Sequence, residues 1–167
     1  MSNARDLSDN RKLTSGTTQA TTSGTVRDFT GIPSWAKRIT VMLNGVSTNG
    51  TSQPMIQLGT SAGVLTTGYT TGTTSITTAA NLVTTYTNGW QFYSSQASNV
   101  INANFVLTLL DAATNTWTAN GLFYTNIPSL VFMAGSRSLP GTLDRIRITT
   151  VNGTDAFDAG SINILYE

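Results

Sequence analysis

The side chains that could do chemistry in this chain are few, because it contains no His and no Cys. Imidazole general bases, thiolate nucleophiles, disulfides and most zinc, copper and haem sites are thereby removed. Within the domain, acid–base work is left to the carboxylates Asp28, Asp111, Asp144, Asp155, Asp158 and Glu167. Two carboxylates flanking a glycosidic bond are enough for a hydrolase, so a carboxylate-only glycan hydrolase is the one enzyme class still open. The local context favours other roles. Asp144 opens an expected strand next to Arg145 and Arg147, which reads as a surface ion pair. Asp155 and Asp158 flank Phe157 just after Asn152-Gly153. They could share a calcium ion, but loop sites bring more oxygen ligands at regular spacing, so turn chemistry is the expected role. A serine nucleophile would need a lysine base, and neither Lys12 nor Lys37 has a suitable local spacing to a serine. No GxxxxGK[ST] or GxGxxG run cradles a phosphate. The expectation is a protein that is not an enzyme and uses no cofactor or metal.

Aromatic side chains offer a second kind of chemistry, since an exposed ring can stack on a sugar. Trp35, Trp90 and Trp117 sit at or near expected strand ends, where core packing is the ordinary role of an indole. If a glycan platform exists, Trp90 with Tyr86 and Tyr69 is the candidate, because these residues border or lie within a Thr-rich stretch from Gly59 to Thr85.

The elements that must position these groups are strands. Apolar residues alternate in Ile39, Val41 and Leu43 against Arg38, Thr40 and Met42, which is the period of a half-buried strand. Ile101, Ala103, Phe105, Leu107 and Leu109 do the same against Asn102, Asn104 and Thr108, as do Ile162, Ile164 and Tyr166. Further β-like runs lie at 55–58, 90–93, 117–124, 130–134 and 144–151. The 59–85 stretch reads as long loops or solvent-washed edge strands, a place where a contact with a partner could sit. Asn-Gly, the strongest short turn signal, recurs at Asn44, Asn49, Asn88, Asn120 and Asn152, predicting a turn at each. Asn49-Gly50-Thr51 and Asn152-Gly153-Thr154 fit the glycosylation pattern but read better as turns. About thirty threonines, β-branched and suited to a pleated surface, reinforce sheet over helix. The predicted fold class is all-β, an antiparallel β-sandwich, jelly-roll-like, with an extended N-terminal arm.

The arm is residues 1–28 and the sandwich 29–167. The arm has few large apolar side chains and ends in the low-complexity stretch Thr14 to Thr25, so it cannot form a core alone. Asp6 to Lys12 could make one or two helical turns capped by Ser8 or Asp9. A polar segment of this kind is expected to lie on a partner, with Arg5, Leu7, Arg11, Lys12 and Leu13 as the candidate anchoring residues. Its basic residues are interleaved with Asp6, Asp9 and Asp28, and the whole chain is 10% charged with a net charge of +1. No basic field reaches toward a nucleic acid. The sequence has no run of 18 apolar residues and no apolar N-terminal signal region, which argues against membrane insertion and for assembly in a cytoplasm.

From Leu139 to Glu167, and above all in the pair Thr142–Val151 and Phe157–Glu167, the chain resembles the C-terminal β-sandwich module of phage and prophage tail-fibre-like and related virion surface proteins. The runs Ile32-Pro33-Ser34-Trp35-Ala36-Lys37-Arg38-Ile39-Thr40-Val41 and Asn44 to Gly50 share the likeness, extending it from about residue 29 to the end. The resemblance implies a module exposed on a virion, commonly trimeric, attached to tail or major capsid proteins and used for contact with host surface polysaccharide or for decorating the shell. A tail-fibre-like surface module is the first expectation. The absence of a heptad run or β-helix period keeps a capsid cement or decoration protein, tied to the shell by its arm, as the alternative.

Overall fold

The computed structural model describes residues 13–76, 81–94, 96–126 and 129–167. Among them there is no helix, and 14 strands form two antiparallel sheets packed as a sandwich. The strands are β1 (Thr14–Ser15), β2 (Gln19–Ala20), β3 (Val26–Thr30), β4 (Arg38–Thr48), β5 (Pro54–Thr60), β6 (Gly63–Val64) and β7 (Thr70–Ile76). They continue with β8 (Asn81–Tyr86), β9 (Trp90–Gln91), β10 (Ile101–Asp111), β11 (Thr116–Thr125), β12 (Ser129–Ser138), β13 (Arg145–Thr150) and β14 (Phe157–Tyr166). The larger sheet runs β1-β14-β4-β10-β11-β12-β7-β8, with β2 also on β14. The smaller runs β3-β13-β5-β6, with β9 also on β5. The chain crosses between the two several times, and strands of both close over one core.

Period-two patterning places that core. Ile39, Val41 and Leu43 of β4, Ile101, Phe105 and Leu107 of β10, and Ile162 and Ile164 of β14 point inward from the large sheet. Ile56 and Leu58 of β5 and Ile146 and Ile148 of β13 meet them from the small one. Each of these side chains contributes about 1.5–3 kcal/mol by leaving water. The stretch 59–85 supplies edge strands, as its composition suggested: β8 is the terminal strand of the large sheet.

Two of the five Asn-Gly pairs are not turns. Asn44-Gly45 lies inside β4, where the register slips against both neighbours. Gly45 has φ of +65° and faces Gly160, φ +94°, on β14. A Cβ on Gly160 would overlap the Gly45 carbonyl. The pair therefore forms a bulge that bends two adjacent strands together. Asn120-Gly121 sits in the middle of β11, paired with Val106 and Phe105 on one side and Ala134 and Met133 on the other. Here glycine makes room for a ring, since a Cβ would lie 2.6 Å from Phe105 Cδ2. The pairs at Asn49, Asn88 and Asn152 do lie in the connections between strands.

The sheets also begin earlier than the apolar pattern implies. Of the segment assigned to the arm, residues 14–28 contribute β1 and β2 along the edge of β14 and most of β3 alongside β13. Arg27 ties this segment down, donating to the carbonyls of Ala20, Ser23 and Val26 while its guanidinium lies 5.8 Å from the Phe157 ring. Thr21 is fully buried and donates to the Ala159 carbonyl. Main-chain pairing of this kind needs no large side chains, so apolar patterning does not report it.

Candidate functional site

Among the described residues the carboxylates do not converge. Asp28 takes a two-pronged pair of bonds from Arg147 at 2.8 and 2.6 Å, and the partnership raises the arginine further above its ordinary range. Asp144 pairs with Arg145 at 3.2 Å, as its position suggested, and Glu167 with Arg38 at 3.3 Å. Asp111 accepts from the Thr114 hydroxyl and the Ala113 N–H within its own turn, and these bonds lower its pKa. Asp155 accepts from Asn152 Nδ2 at 2.7 Å and Ser52 N–H at 2.8 Å, which also lowers its pKa and joins the loops after β4 and β13. Asp158 takes the Ser47 hydroxyl instead. The two aspartates first weighed as a calcium pair thus serve separate contacts, Asp155 between two loops and Asp158 between β14 and β4. Among the described residues no three acidic side chains gather in a way that could hold a metal ion.

Burial corrects two of the three aromatic candidates for a glycan platform, Trp90 and Tyr69. Trp90 is 0% and Tyr69 2% exposed, packed edge to face at 5.1 Å between the sheets. A ring with no exposed face cannot stack on a sugar. The Tyr69 hydroxyl accepts from Leu58 N–H at 2.7 Å and donates to the Leu65 carbonyl at 2.9 Å. Burial pushes its pKa up to about 12. Tyr86 is half-buried and donates to Gln53 Oε1 at 3.2 Å, and burial raises its pKa too. Trp117 is in the core, whereas Trp35 is 42% exposed and leans on Tyr166 at 5.7 Å. Of the candidate anchoring residues, Leu13 is exposed, and Arg5, Leu7, Arg11 and Lys12, with the helical turns considered for 6–12, lie outside the described residues.

The feature that stands out instead is apolar and faces outward. On the outer side of the large sheet, Leu122 of β11 pairs with Phe132 of β12, Phe132 with Thr74 of β7, and Thr74 with Val83 of β8. In the next row Tyr124 pairs with Leu130 and Leu130 with Ile76. Paired residues share a face, so six large apolar side chains form one patch across four strands. They are exposed by 39% (Leu130) to 68% (Val83). A shallow depression bordered by Met42, Asn102, Asn104 and Leu122 continues it over β10 and β4. The rows contain no charged residue.

Sequence reasoning missed this face, although a signal was present. Leu122-Phe123-Tyr124 and Leu130-Val131-Phe132-Met133 are unbroken apolar runs in strands that should alternate if one side met water. Phe123, Val131 and Met133 fill the core, and the remaining members of each run supply the outer patch.

No family model, no curated protein and no solved structure matches this chain.

Proposed function

We propose that this chain is a non-enzymatic structural module of a bacteriophage particle, tail-fibre-like, assembled as a homotrimer and tied to other virion proteins through its N-terminal segment. The particle assignment rests on the likeness of Leu139–Glu167 and its companion runs to virion surface modules. The observation that carries the structural role is the uncharged outer face of Leu122, Tyr124, Leu130, Phe132, Ile76 and Val83. A contiguous apolar patch of several hundred Å² is at the upper end of what a monomer exposes, and such patches are often functional. Among the described residues, the carboxylates are engaged in ion pairs and hydrogen bonds that hold loops and strands together.

The test is to sediment particles of the encoding phage through a density gradient and quantify this chain in the particle band. A few copies per particle, in multiples of three, is the expected result. Hundreds of copies per particle would favour the capsid decoration role, and a chain confined to the soluble fraction would overturn the particle assignment altogether.

A further inference from the structure

We infer that the uncharged face of β11, β12, β7 and β8 is the surface through which copies of this chain meet, its occupant being another copy of this chain. The inference rests on the reading of the chain as an assembly module and adds the surface that does the assembling.

Area is the first argument. With full side-chain surfaces of about 200 Å² for aromatics and somewhat less for aliphatics, the exposed fractions leave roughly 500 Å² of apolar surface. A standard interface takes about 800 Å² from each partner, and the Asn and Thr residues around the patch supply the remainder as a polar rim. Charge is the second. A surface buried against another copy must find an opposite charge on that same chain for every charge it buries, and an unpaired one is costly. The rows through Leu122 and Tyr124, and the neighbouring row of Val106, Asn120, Ala134 and Thr85, contain none. The chain's own N-terminal segment is a poor match for this surface, since Arg5, Asp6, Asp9, Arg11 and Lys12 put five charges into its first twelve residues.

The sheet edge is the third argument. Among the described residues β8 has a neighbour on one side only, and it contains no Lys, Pro or charged residue. Natural edges usually use such residues to block pairing with other chains. The opposite end of the same sheet is shielded differently, by strands only two residues long. An unguarded edge beside an apolar face, carrying Leu82 and Val83 at 48% and 68% exposure, fits a contact that another copy covers.

The experiment is light scattering on the full chain at tens of micromolar, beside the double variant Leu122→Glu, Phe132→Glu. Both positions are exposed, so the variant should keep its far-ultraviolet circular dichroism. The wild type should run at a multiple of 17.7 kDa and the variant at one chain mass. A second arm uses the absence of native cysteine: Leu122→Cys, Phe132→Cys and Val83→Cys should each cross-link between copies with a short bismaleimide, and the distant exposed Leu110→Cys should not. A monomeric wild type, a folded variant that stays oligomeric, or cross-linking no stronger on the face than at Leu110 overturns the inference. A dimer that the variant dissolves upholds this face while contradicting the trimer. Face-dependent assembly of a chain missing from purified particles upholds the face while contradicting the particle role.

Discussion

Replacing Tyr69 by Phe isolates a hydroxyl whose role follows from a gap in the strand pairing. β5 pairs with β9 at Met55 and Ile56 and with β6 at Gly59 and Thr60. Between them the Leu58 N–H is met by the Tyr69 hydroxyl, which in turn donates to Leu65. Tyr69→Phe keeps the ring against Trp90 but leaves a buried N–H and a carbonyl without that partner. Each such orphan costs about 1–3 kcal/mol, and because Leu65 is only half-buried the sum should be about 3 kcal/mol. For a chain of this size that lowers Tm by roughly 6–12 °C. Alkali supplies an independent signature. Burial holds the folded-state pKa near 12 against an ordinary 10, so the fold favours the neutral phenol. The stability this brings is complete below pH 10 and is lost as pH rises from 10 to about 12. Calorimetry between pH 7 and 12 should therefore show the wild type and Tyr69→Phe far apart at neutrality and converging in alkali. A variant within about 1 °C of wild type at pH 7 would refute the strut, and so would a parallel alkaline decline.

Three further outcomes follow from the same geometry. Gly121→Ala puts a methyl group 2.6 Å from the Phe105 ring and 2.9 Å from the Asn104 carbonyl, and should cost about 1–3 kcal/mol in urea unfolding. Asp155→Ala should destabilise the wild-type fold at neutral pH but matter less in acid: the carboxylate's pKa is lowered, so its contribution is present above the unfolded carboxylate range and fades as pH falls through the lowered value. Thermal melts at pH 7 and pH 2 measure the difference. Of the three tryptophans, only Trp35 should be quenched by iodide, since Trp90 and Trp117 are 0% and 3% exposed.

Most strands were legible because one face meets the core and the other water, as in Ile39, Val41 and Leu43. Where that condition fails, so does the pattern. β1 and β2 pair through the backbone of Thr, Ser, Gln and Ala, which have no apolar period to read. Asn-Gly marks a turn in isolation, but at Asn44 it accommodates a bulge and at Asn120 a neighbouring ring, both decided by the adjacent strand. Tyr69 lies among Thr and Gly, a composition that suggests exposure, yet its ring is buried against Trp90, a contact made across the chain that local composition does not report. The outer face was written in the sequence as doubled apolar runs in β11 and β12, and it lay outside the residues singled out for chemistry.

The central claim is that this chain is a structural part of a phage particle, and direct imaging tests it best. Antibody raised against the folded domain and labelled with gold should mark the tail of purified particles in electron micrographs, at a fixed position on each. Unlabelled particles from a lysate in which the chain is abundant would contradict the claim.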